Sequence, residues 1–288
     1  MNTIDWAVIP VAGMGTRMLP MSKASPKELL PLIDKPLIDW ILDEVYLAGI
    51  KNVVLVTHPD KISIESYLTR NLMLENALLE KGKQDLVDIL KETHSKDINI
   101  VFTNQLEPLG LGHAINCARS IIDGKGFAVL LPDVILTQTT ESKVGNTLAL
   151  MVEQTARNGH SSILVEHIPI EKTSSYGIVA LKQDQKTIAS MVEKPQPEDA
   201  PSDLAIVGRY VFTPGIWQFL DSTETGSGGE IQLTDAIDKL LAKECVETAV
   251  LNERSFDCGD KLGYLHANIE LALNSAKYGM PLKGRLKN

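Results

Sequence analysis

Near its start the chain carries Trp6-Ala7-Val8-Ile9-Pro10-Val11-Ala12-Gly13-Met14-Gly15-Thr16-Arg17, an apolar run that ends in a short glycine loop. Such a run bounded by glycine is typical of a buried strand. A second apolar run, Val53 to Thr57, follows the stretch from Pro36 to Ala48, whose apolar residues recur at helical spacing. The three segments predict a strand, a helix and a second strand, which is the repeating unit of parallel α/β sheets.

The segments beyond this unit predict a Rossmann-like α/β fold with a mixed, mainly parallel central sheet flanked by helices. Early strands alternate with helices, whereas later strands follow one another closely, so we expect a parallel first half and a mixed second half. Apolar residues at helical spacing over 60–92 predict two helices inserted at the sheet edge. We expect a single domain over 1–288, with this insertion at about 60–95. Further strands are predicted over 98–103, 127–132, 162–166, 177–181, 188–193, 206–213 and 246–250. Further helices are predicted over 112–120, 144–158, 215–221, 230–243 and 261–277.

Composition and charge exclude several classes of protein. With 288 residues, of which 44% are hydrophobic, the chain can build a full core without disulfides. Its 28 basic and 37 acidic residues give a net charge of -9, which disfavours nucleic acid and anionic membranes as partners. The odd number of cysteines, three, and the absence of a Cys-x-x-Cys pair argue against a disulfide framework or a thiolate zinc site. With Asp5 where a signal peptide carries basic residues, we expect a cytoplasmic protein.

The glycine loop after the first predicted strand suits a polyphosphate. A dinucleotide-binding loop would need a third glycine where Met18 lies, and a phosphate-binding Walker loop would need Gly-Lys-Ser/Thr. The loop instead carries cations at Arg17, Lys23 and Lys27, a local positive charge in an acidic protein. Open α/β sheets bind ligands at the carboxyl ends of their strands, where this loop is expected. The alternative from the residues alone is a turn with solvated lysines.

The motifs resemble those of the sugar-nucleotide pyrophosphorylases, and most closely their bacterial UTP:glucose-1-phosphate uridylyltransferase branch. The resemblance runs in order along nearly the whole chain. It rests on the loop from Gly13 to Pro20 and on Pro26-Lys27-Glu28, Pro108-Leu109-Gly110-Leu111-Gly112-His113-Ala114, Leu131-Pro132-Asp133-Val134, Val192-Glu193-Lys194-Pro195, Val207-Gly208-Arg209-Tyr210, Glu230-Ile231-Gln232-Leu233-Thr234-Asp235-Ala236 and Asp257-Cys258-Gly259. The resemblance implies transfer of a uridylyl group from UTP to α-D-glucose 1-phosphate, giving UDP-glucose and pyrophosphate.

The resemblance also implies a role for particular residues and for Mg²⁺. Asp133, at the tip of a predicted strand, and Asp257 are the implied Mg²⁺ ligands, since magnesium prefers hard oxygen ligands. Arg17, Lys27, Asp133 and Lys194 are the implied catalytic residues. The implied nucleotide-binding residues are Ala12, Gly13, Gly15, Thr16, Arg17, Lys27, Gln105 and Gly110. The implied sugar-phosphate residues are Gly177, Glu193, Lys194 and Gly208, within a sugar-binding half at about 160–260. A Gly-, Ser- and Thr-rich segment at 223–229 predicts a mobile loop, and the resemblance implies that this loop lies near the sugar site.

Other interpretations stay open at this point. Without the resemblance, Asp133 would be interpreted as a turn or helix-capping residue, and Glu193-Lys194 as the solvated end of a strand. His113 is interpreted as helix-start packing or polar support, because the attacking phosphate is already ionised and needs no base. Alternative functions are a thymidylyl- or other sugar-1-phosphate nucleotidyltransferase, or a non-catalytic regulatory paralogue. The intact Thr16 and Arg17 disfavour the paralogue, and we expect a homodimer or a homotetramer.

Overall fold

A nine-stranded mixed sheet forms the centre of the molecule. The computed structural model describes residues 3–92, 97–137, 147–222, 229–252 and 254–286. The strands are β1 (Trp6–Pro10), β2 (Pro31–Leu32), β3 (Lys35–Pro36), β4 (Asn52–Thr57), β5 (Asn99–Asn104), β6 (Phe127–Leu130), β7 (Val134–Thr137), β8 (Ser161–His167), β9 (Gly177–Leu181), β10 (Ile188–Glu193), β11 (Leu204–Phe212), β12 (Val246–Val250) and β13 (Arg254–Asp257). The order in the sheet is β10-β9-β11-β6-β1-β4-β5, with β8 paired to β11 and β12 paired to β8.

The helices cover the sheet and extend beyond it. They are α1 (Leu37–Leu47), α2 (Ile62–Leu68), α3 (Leu72–Glu80), α4 (Gln84–Glu92), α5 (Leu111–Asn116), α6 (Arg119–Ile122), α7 (Thr147–Asn158), α8 (Trp217–Ser222), α9 (Leu233–Leu241), α10 (Lys261–Asn274) and α11 (Gly279–Leu286). Among the helices of the described ranges, none combines the length and apolar character that crossing a membrane requires.

The predicted strand, helix and strand at the start of the chain are confirmed, and so is the mixed α/β class. Strand β1 lies between two parallel neighbours, because Ala7 is in register with Val53 of β4 on one side and with Ala128 of β6 on the other. Beyond β6 the direction changes, since β11 runs antiparallel to both β6 and β8. The first half of the sheet is therefore parallel and the second half is mixed, as the element order predicts.

Helices bury both faces of the sheet. Because successive side chains of a strand point to opposite faces, each central strand contributes residues to two cores. Ala7 and Ile9 of β1 belong to the core beneath α1 and α7, while Val8 between them belongs to the core beneath α5, α8 and α9. The two layers hold the sheet rigidly, so the loops at its edge start from fixed positions.

Several boundaries differ from the sequence prediction. The insertion contains three helices, α2 to α4, where two were predicted. The predicted helix over 112–120 is divided into α5 and α6, because the Ala118 amide bonds three residues back, to Ile115, and tightens one turn. The short strands β2, β3, β7 and β13 and the terminal helix α11 were not predicted. The predicted loop at 223–229, except Gly229, and residues 144–146 of the helix predicted over 144–158 lie outside the described residues.

Candidate active site

The glycine loop after β1 forms a tight, mostly exposed turn. Gly15 has φ +65°, a left-handed conformation that glycine adopts without steric cost, and its carbonyl accepts a hydrogen bond from Ser22 Oγ at 2.7 Å. A short 3₁₀ turn, Thr16–Met18, follows. Met18 is fully buried and anchors this turn, whereas the Arg17 side chain is 63% exposed. The loop thus presents a guanidinium beside the carboxyl end of β1.

Asp133 lies in the short turn between β6 and β7, where its carboxylate pairs with two cations. Its Oδ2 atom lies 2.5 Å from Lys27 Nζ and 3.9 Å from Arg17 Nη2. Burial alone would raise the pKa of Asp133, but the Lys27 ammonium, its hydrogen bond and the Arg17 charge outweigh burial and lower the pKa below its usual value. The carboxylate is therefore ionised at neutral pH although its side chain is only 13% exposed.

Asp257 is brought beside Asp133 by a two-stranded antiparallel sheet. In this sheet β13 pairs with β7, with Asp257 in register with Val134, and the Cys258 amide donates to the Asp133 carbonyl at 2.7 Å. Asp257 Oδ2 lies 3.6 Å from Arg17 Nη1. Burial and the nearby negative charge of Asp133 raise the pKa of Asp257. The two predicted carboxylates, which are far apart in sequence, thus lie side by side in the structure.

Gly259 shows how closely the two carboxylates converge. A Cβ atom at this position would lie 2.7 Å from Asp133 Oδ2, 2.8 Å from Asp257 Oδ1 and 2.9 Å from Arg17 Nη2. Both carboxylates and the guanidinium therefore face one small space that only a glycine leaves open. The Gly259 amide also donates to Asp257 Oδ1 at 2.8 Å and orients that side chain.

A cavity of about 830 Å³ opens in front of these carboxylates. Its size is within the range of ligand pockets for small molecules. Seven of the predicted site residues line it, namely Arg17, Asp133, Gly177, Glu193, Lys194, Gly208 and Asp257. The other predicted residues do not line this cavity, namely Ala12, Gly13, Gly15, Thr16, Lys27, Gln105 and Gly110. The structure therefore groups the predicted sugar-phosphate residues with the carboxylates, while most predicted nucleotide residues lie in the adjoining loops.

Glu193 and Lys194 form one wall of the cavity at the end of β10. Lys194 has φ +48°, an uncommon conformation for a residue with a side chain, and its amide donates to the Tyr176 carbonyl at 3.0 Å. Lys194 Nζ lies 3.0 Å from Glu193 Oε1. A Cβ atom on Gly177 would approach Glu193 Oε2 to 3.2 Å, so this glycine leaves room for the carboxylate. Gly208 has φ +70°, and a Cβ atom there would lie 2.9 Å from Leu131 Cδ1, so this glycine packs more closely still.

Gln105 follows β5 and lies behind the loop that leads into α5. Its side-chain amide donates to the Gly110 carbonyl at 3.0 Å and lies 3.1 Å from His113 Nδ1. Gln105 is only 7% exposed. His113 thus supports Gln105, in agreement with its interpretation as polar support. Gly110 has φ +96°, and a Cβ atom there would meet the Ile231 carbonyl at 2.8 Å, so this loop packs tightly against the segment before α9.

Comparison with known proteins places this arrangement in a family. The model of the family described as Nucleotidyl transferase matches residues 6–273. The chain belongs to the nucleotidyl transferase family. It is 45% identical to the UTP--glucose-1-phosphate uridylyltransferase of Haemophilus influenzae, over 98% of each chain. It is 43% identical to the protein of the same name from Escherichia coli K12, over 98% of this chain and 94% of that one.

Solved structures agree with this assignment. A UTP-bound UGPase from Acinetobacter baumannii superposes on this nucleotidyl transferase with a TM-score of 0.91, at 39% identity and over 99% of each chain. A UDP-glucose pyrophosphorylase complexed with UDP-glucose gives a TM-score of 0.83 at 32% identity, over 95% of this chain and all of that one.

Sequence reasoning missed a buried ion pair beneath the glycine loop of this nucleotidyl transferase. Lys61, at the start of the helical insertion, donates to the Val11 carbonyl at 2.6 Å and to Glu28 Oε2 at 3.0 Å. Burial raises the pKa of Glu28 and lowers that of Lys61, against their mutual attraction. Glu28 stands in the Pro26-Lys27-Glu28 motif, but its partner is remote in sequence and no spacing pointed to it. Other cavity residues that lie outside the quoted motifs are Glu166, Lys172, Tyr176 and Ser255, whereas Thr234 lies in the motif from Glu230 to Ala236 but was given no role.

A second cluster of polar side chains lies at the edge of the sheet, away from the cavity. It brings His160, Cys245 and Glu247 together, with one ligand-type atom of each within 4.8 Å of the others. Sequence spacing did not indicate this group, because His160 and Cys245 precede neighbouring strands, β8 and β12. Glu247 Oε2 already lies 2.7 Å from Lys186 Nζ, and Oε1 lies 3.0 Å from His160 Nδ1. We therefore interpret the group as an ion-pair cluster that stabilises the position of β12 beside β8.

Proposed function

We propose that this nucleotidyl transferase transfers a uridylyl group from UTP to α-D-glucose 1-phosphate, giving UDP-glucose and pyrophosphate. One observation carries the proposal. The ionised Asp133 carboxylate, paired with Lys27 and Arg17, faces the same cavity as Glu193 and Lys194. Groups suited to a triphosphate and groups suited to a sugar phosphate thus meet in one space. The names of the relatives and the UTP and UDP-glucose of the two solved structures support the same substrates.

The reaction joins two anions, so the protein must overcome their repulsion and align them. A phosphate oxygen of glucose 1-phosphate attacks the α-phosphorus of UTP, a new P–O bond forms, and the bond to pyrophosphate breaks as that group takes its electron pair. The nucleophile is already ionised, so no side chain has to remove a proton. Arg17 and Lys27 are assigned to the triphosphate, and Lys194 to the phosphate of the sugar.

The nucleotide is assigned to the loops beside the cavity. Ala12, Gly13, Gly15 and Thr16 form the exposed turn after β1, whose backbone can approach phosphates closely. Gln105 and the Gly110 backbone are assigned to the uracil, because an amide side chain and peptide groups offer both donors and acceptors. The hydrogen bond from Gln105 to Gly110 would hold this recognition surface in place before UTP binds.

The sugar phosphate is assigned to the wall at the end of β10. The Glu193 carboxylate can accept hydrogen bonds from sugar hydroxyls, and the Lys194 ammonium can pair with the phosphate. Gly177 and Gly208 line the cavity and allow Glu193 and Leu131 to approach the backbone closely, which a Cβ atom at either position would prevent. Glu193 and Lys194 line the same cavity as Asp133 and Asp257, which suits a sugar phosphate that has to meet the nucleotide there.

The donor set at Asp133 and Asp257 fits Mg²⁺. The two carboxylates converge on the space that a Cβ atom of Gly259 would fill, and carboxylate oxygens are the ligands that this ion prefers. Asp133 and Asp257 would hold the ion. Mg²⁺ bound there would offset phosphate charge and stabilise the charge that develops on the transferring phosphoryl group.

The organisation of the protein is part of the proposal. We infer one nucleotidyltransferase domain, with a sugar-binding half at about 160–260, in a cytoplasmic homodimer or homotetramer. The free cysteines Cys117, Cys245 and Cys258 are consistent with a reducing compartment.

A product assay tests the proposal directly. The purified protein is incubated with UTP, α-D-glucose 1-phosphate and Mg²⁺, and both products are quantified. We expect UDP-glucose and pyrophosphate in equal amounts. Pyrophosphate release that does not depend on the sugar phosphate, or no turnover by the folded protein, would contradict the proposal.

A further inference from the structure

Arg209 lies buried beneath the cavity, and the proposed reaction gives it no role. It is the largest fully buried side chain in the described part of the chain. A guanidinium carries a permanent charge and five N–H donors, so its burial requires a counter-charge and several acceptors. Its neighbour Gly208 lines the cavity, and so do Leu131 and Val134, whose carbonyls accept hydrogen bonds from the Arg209 guanidinium.

Two donors of Arg209 hold the backbone on both sides of Asp133. Nη1 donates to the Leu131 carbonyl at 3.1 Å, and Nη2 donates to the Val134 carbonyl at 2.7 Å. Asp133 lies between these two carbonyls, so the guanidinium spans the turn that carries the carboxylate. Nη1 also lies 3.3 Å from the Gly208 carbonyl.

Glu44 of α1 fixes the guanidinium from the other side. Arg209 Nε lies 2.9 Å from Glu44 Oε1, and Nη2 lies 2.8 Å from Oε2, which is a bidentate pair. The planar fork of arginine matches a carboxylate in this geometry and leaves the guanidinium a single orientation. Helix α1 is therefore connected to the Asp133 turn through two side chains. A lysine has one donor group and could not contact Glu44 and both carbonyls in this way.

We propose that Arg209 is a positioning residue that fixes the Asp133 turn and so aims its carboxylate. This inference rests on the proposed function for the identity of the ligand that Asp133 binds. The way in which Arg209 holds the turn does not depend on that function. Displacing a catalytic group by about 1 Å can lower the reaction rate about 10²-fold. Hydrogen bonds that hold the turn on both sides of Asp133 therefore keep the rate high by keeping the carboxylate in place. This role explains in physical terms why the Val207-Gly208-Arg209-Tyr210 motif contains an arginine.

The test compares two double variants that each remove a bidentate arginine–glutamate pair. Arg209→Met/Glu44→Leu removes the guanidinium together with its counter-charge. Arg70→Met/Glu75→Leu is the matched control, since Arg70 contacts Glu75 in the same bidentate way at 3.0 and 2.5 Å within the helical insertion. Each variant is studied by hydrogen exchange without substrates and by steady-state kinetics at varied Mg²⁺.

We expect the first variant alone to exchange faster at the Cys258 amide, which bonds the Asp133 carbonyl, and at the Val134 amide. Its kcat should fall by about tenfold or more, and the Mg²⁺ needed for half-maximal turnover should rise, because the carboxylate is displaced. The KM for glucose 1-phosphate should change less, since its phosphate is assigned to Lys194, which follows β10 and belongs to a different part of the chain. The control should retain wild-type values for all of these.

Wild-type exchange at Cys258 and Val134 together with wild-type kcat in the first variant would overturn the proposal. Equal losses in both variants would do the same, because they would reflect general stability. If the first variant does not fold, Arg209→Lys replaces it, and unchanged local exchange in that variant would overturn the proposal. Failure of the wild type to form UDP-glucose would contradict the proposed function, while the exchange measurements would still decide the role of Arg209.

Discussion

Lys27 Nζ lies 2.5 Å from Asp133 Oδ2, so a cation beside the glycine loop directly neutralises the carboxylate in the turn between β6 and β7. The two residues are 106 positions apart in sequence, and the parallel pairing of β1 with β6 brings their loops to one edge of the sheet. The contact keeps Asp133 ionised despite its burial, as its lowered pKa indicates. An ionised carboxylate in this position is ready to hold a divalent ion against a triphosphate.

Asp133→Asn should lower kcat by about 10² to 10³ with the fold retained, because it removes one negative charge but keeps the size of the side chain and one oxygen. Steady-state kinetics at fixed free Mg²⁺ measures the loss. Asp97→Asn, at an exposed residue paired with Lys51, is the control and should retain full activity. Turnover by folded Asp133→Asn within a few-fold of wild type would make Asp133 a structural turn residue and Asp257 the next metal ligand to test.

Lys194→Ala should weaken binding of glucose 1-phosphate more than binding of UTP. Losing the partner of a desolvated phosphate should cost about 2 to 4 kcal/mol in kcat/KM. Alanine at φ +48° retains the backbone strain of the wild type, so the change measures the ammonium. Calorimetry with each substrate gives the comparison, and exposed Lys182→Ala is the control. Equal loss of affinity for both substrates would contradict the assignment.

Gly259→Ala should reduce kcat by about 10², because its methyl group would displace Asp133, Asp257 and Arg17 from their shared space. The matched control is Gly284→Ala in α11, where an added Cβ meets nothing within 4 Å. Both variants are compared by kcat and by thermal unfolding. Wild-type activity in folded Gly259→Ala would show that the two carboxylates need not converge there.

Glu247 should contribute stability that is lost in acid. Burial alone would raise its pKa, but hydrogen bonds from Lys186, His160 and Gln154 outweigh burial and lower the pKa to about 2. A depressed folded-state pKa means that the contribution is complete above 4.5, the ordinary pKa of a glutamate, and disappears as the pH falls towards 2. The polar groups around the carboxylate are Lys186, His160, Gln154, Asn158 and Cys245.

Urea unfolding of wild type and Glu247→Gln between pH 7 and pH 2.5 checks this. The difference in free energy of unfolding should be largest above about pH 5 and should shrink as the pH falls below it. A difference that is constant over this range would show that the Glu247 charge does not stabilise the fold.

Local sequence patterns predicted those parts of the fold that depend on neighbouring residues. The run from Trp6 to Val11 and the glycines after it indicated β1 and its loop, because burial and turn conformation are local requirements. The approach of Asp257 to Asp133 depends on the register of β13 against β7, which no local pattern records. The same holds for the Arg209–Glu44 and Lys61–Glu28 pairs, whose partners are distant in sequence. Motif resemblance pointed to Asp257 without indicating how it reaches the site.

The most direct test of the proposed uridylyl transfer is kcat/KM for UTP, dTTP, CTP, ATP and GTP, each with glucose 1-phosphate. A pocket hydrogen-bonded for uracil leaves polar groups unpaired with a purine, so we expect ATP and GTP to be worse than UTP by about 10⁴-fold. The 5-methyl group of dTTP is worth only about 1 to 3 kcal/mol, so a lower but measurable rate with dTTP agrees with the account. Comparable kcat/KM for ATP and UTP, or a clear preference for dTTP over UTP, would contradict it.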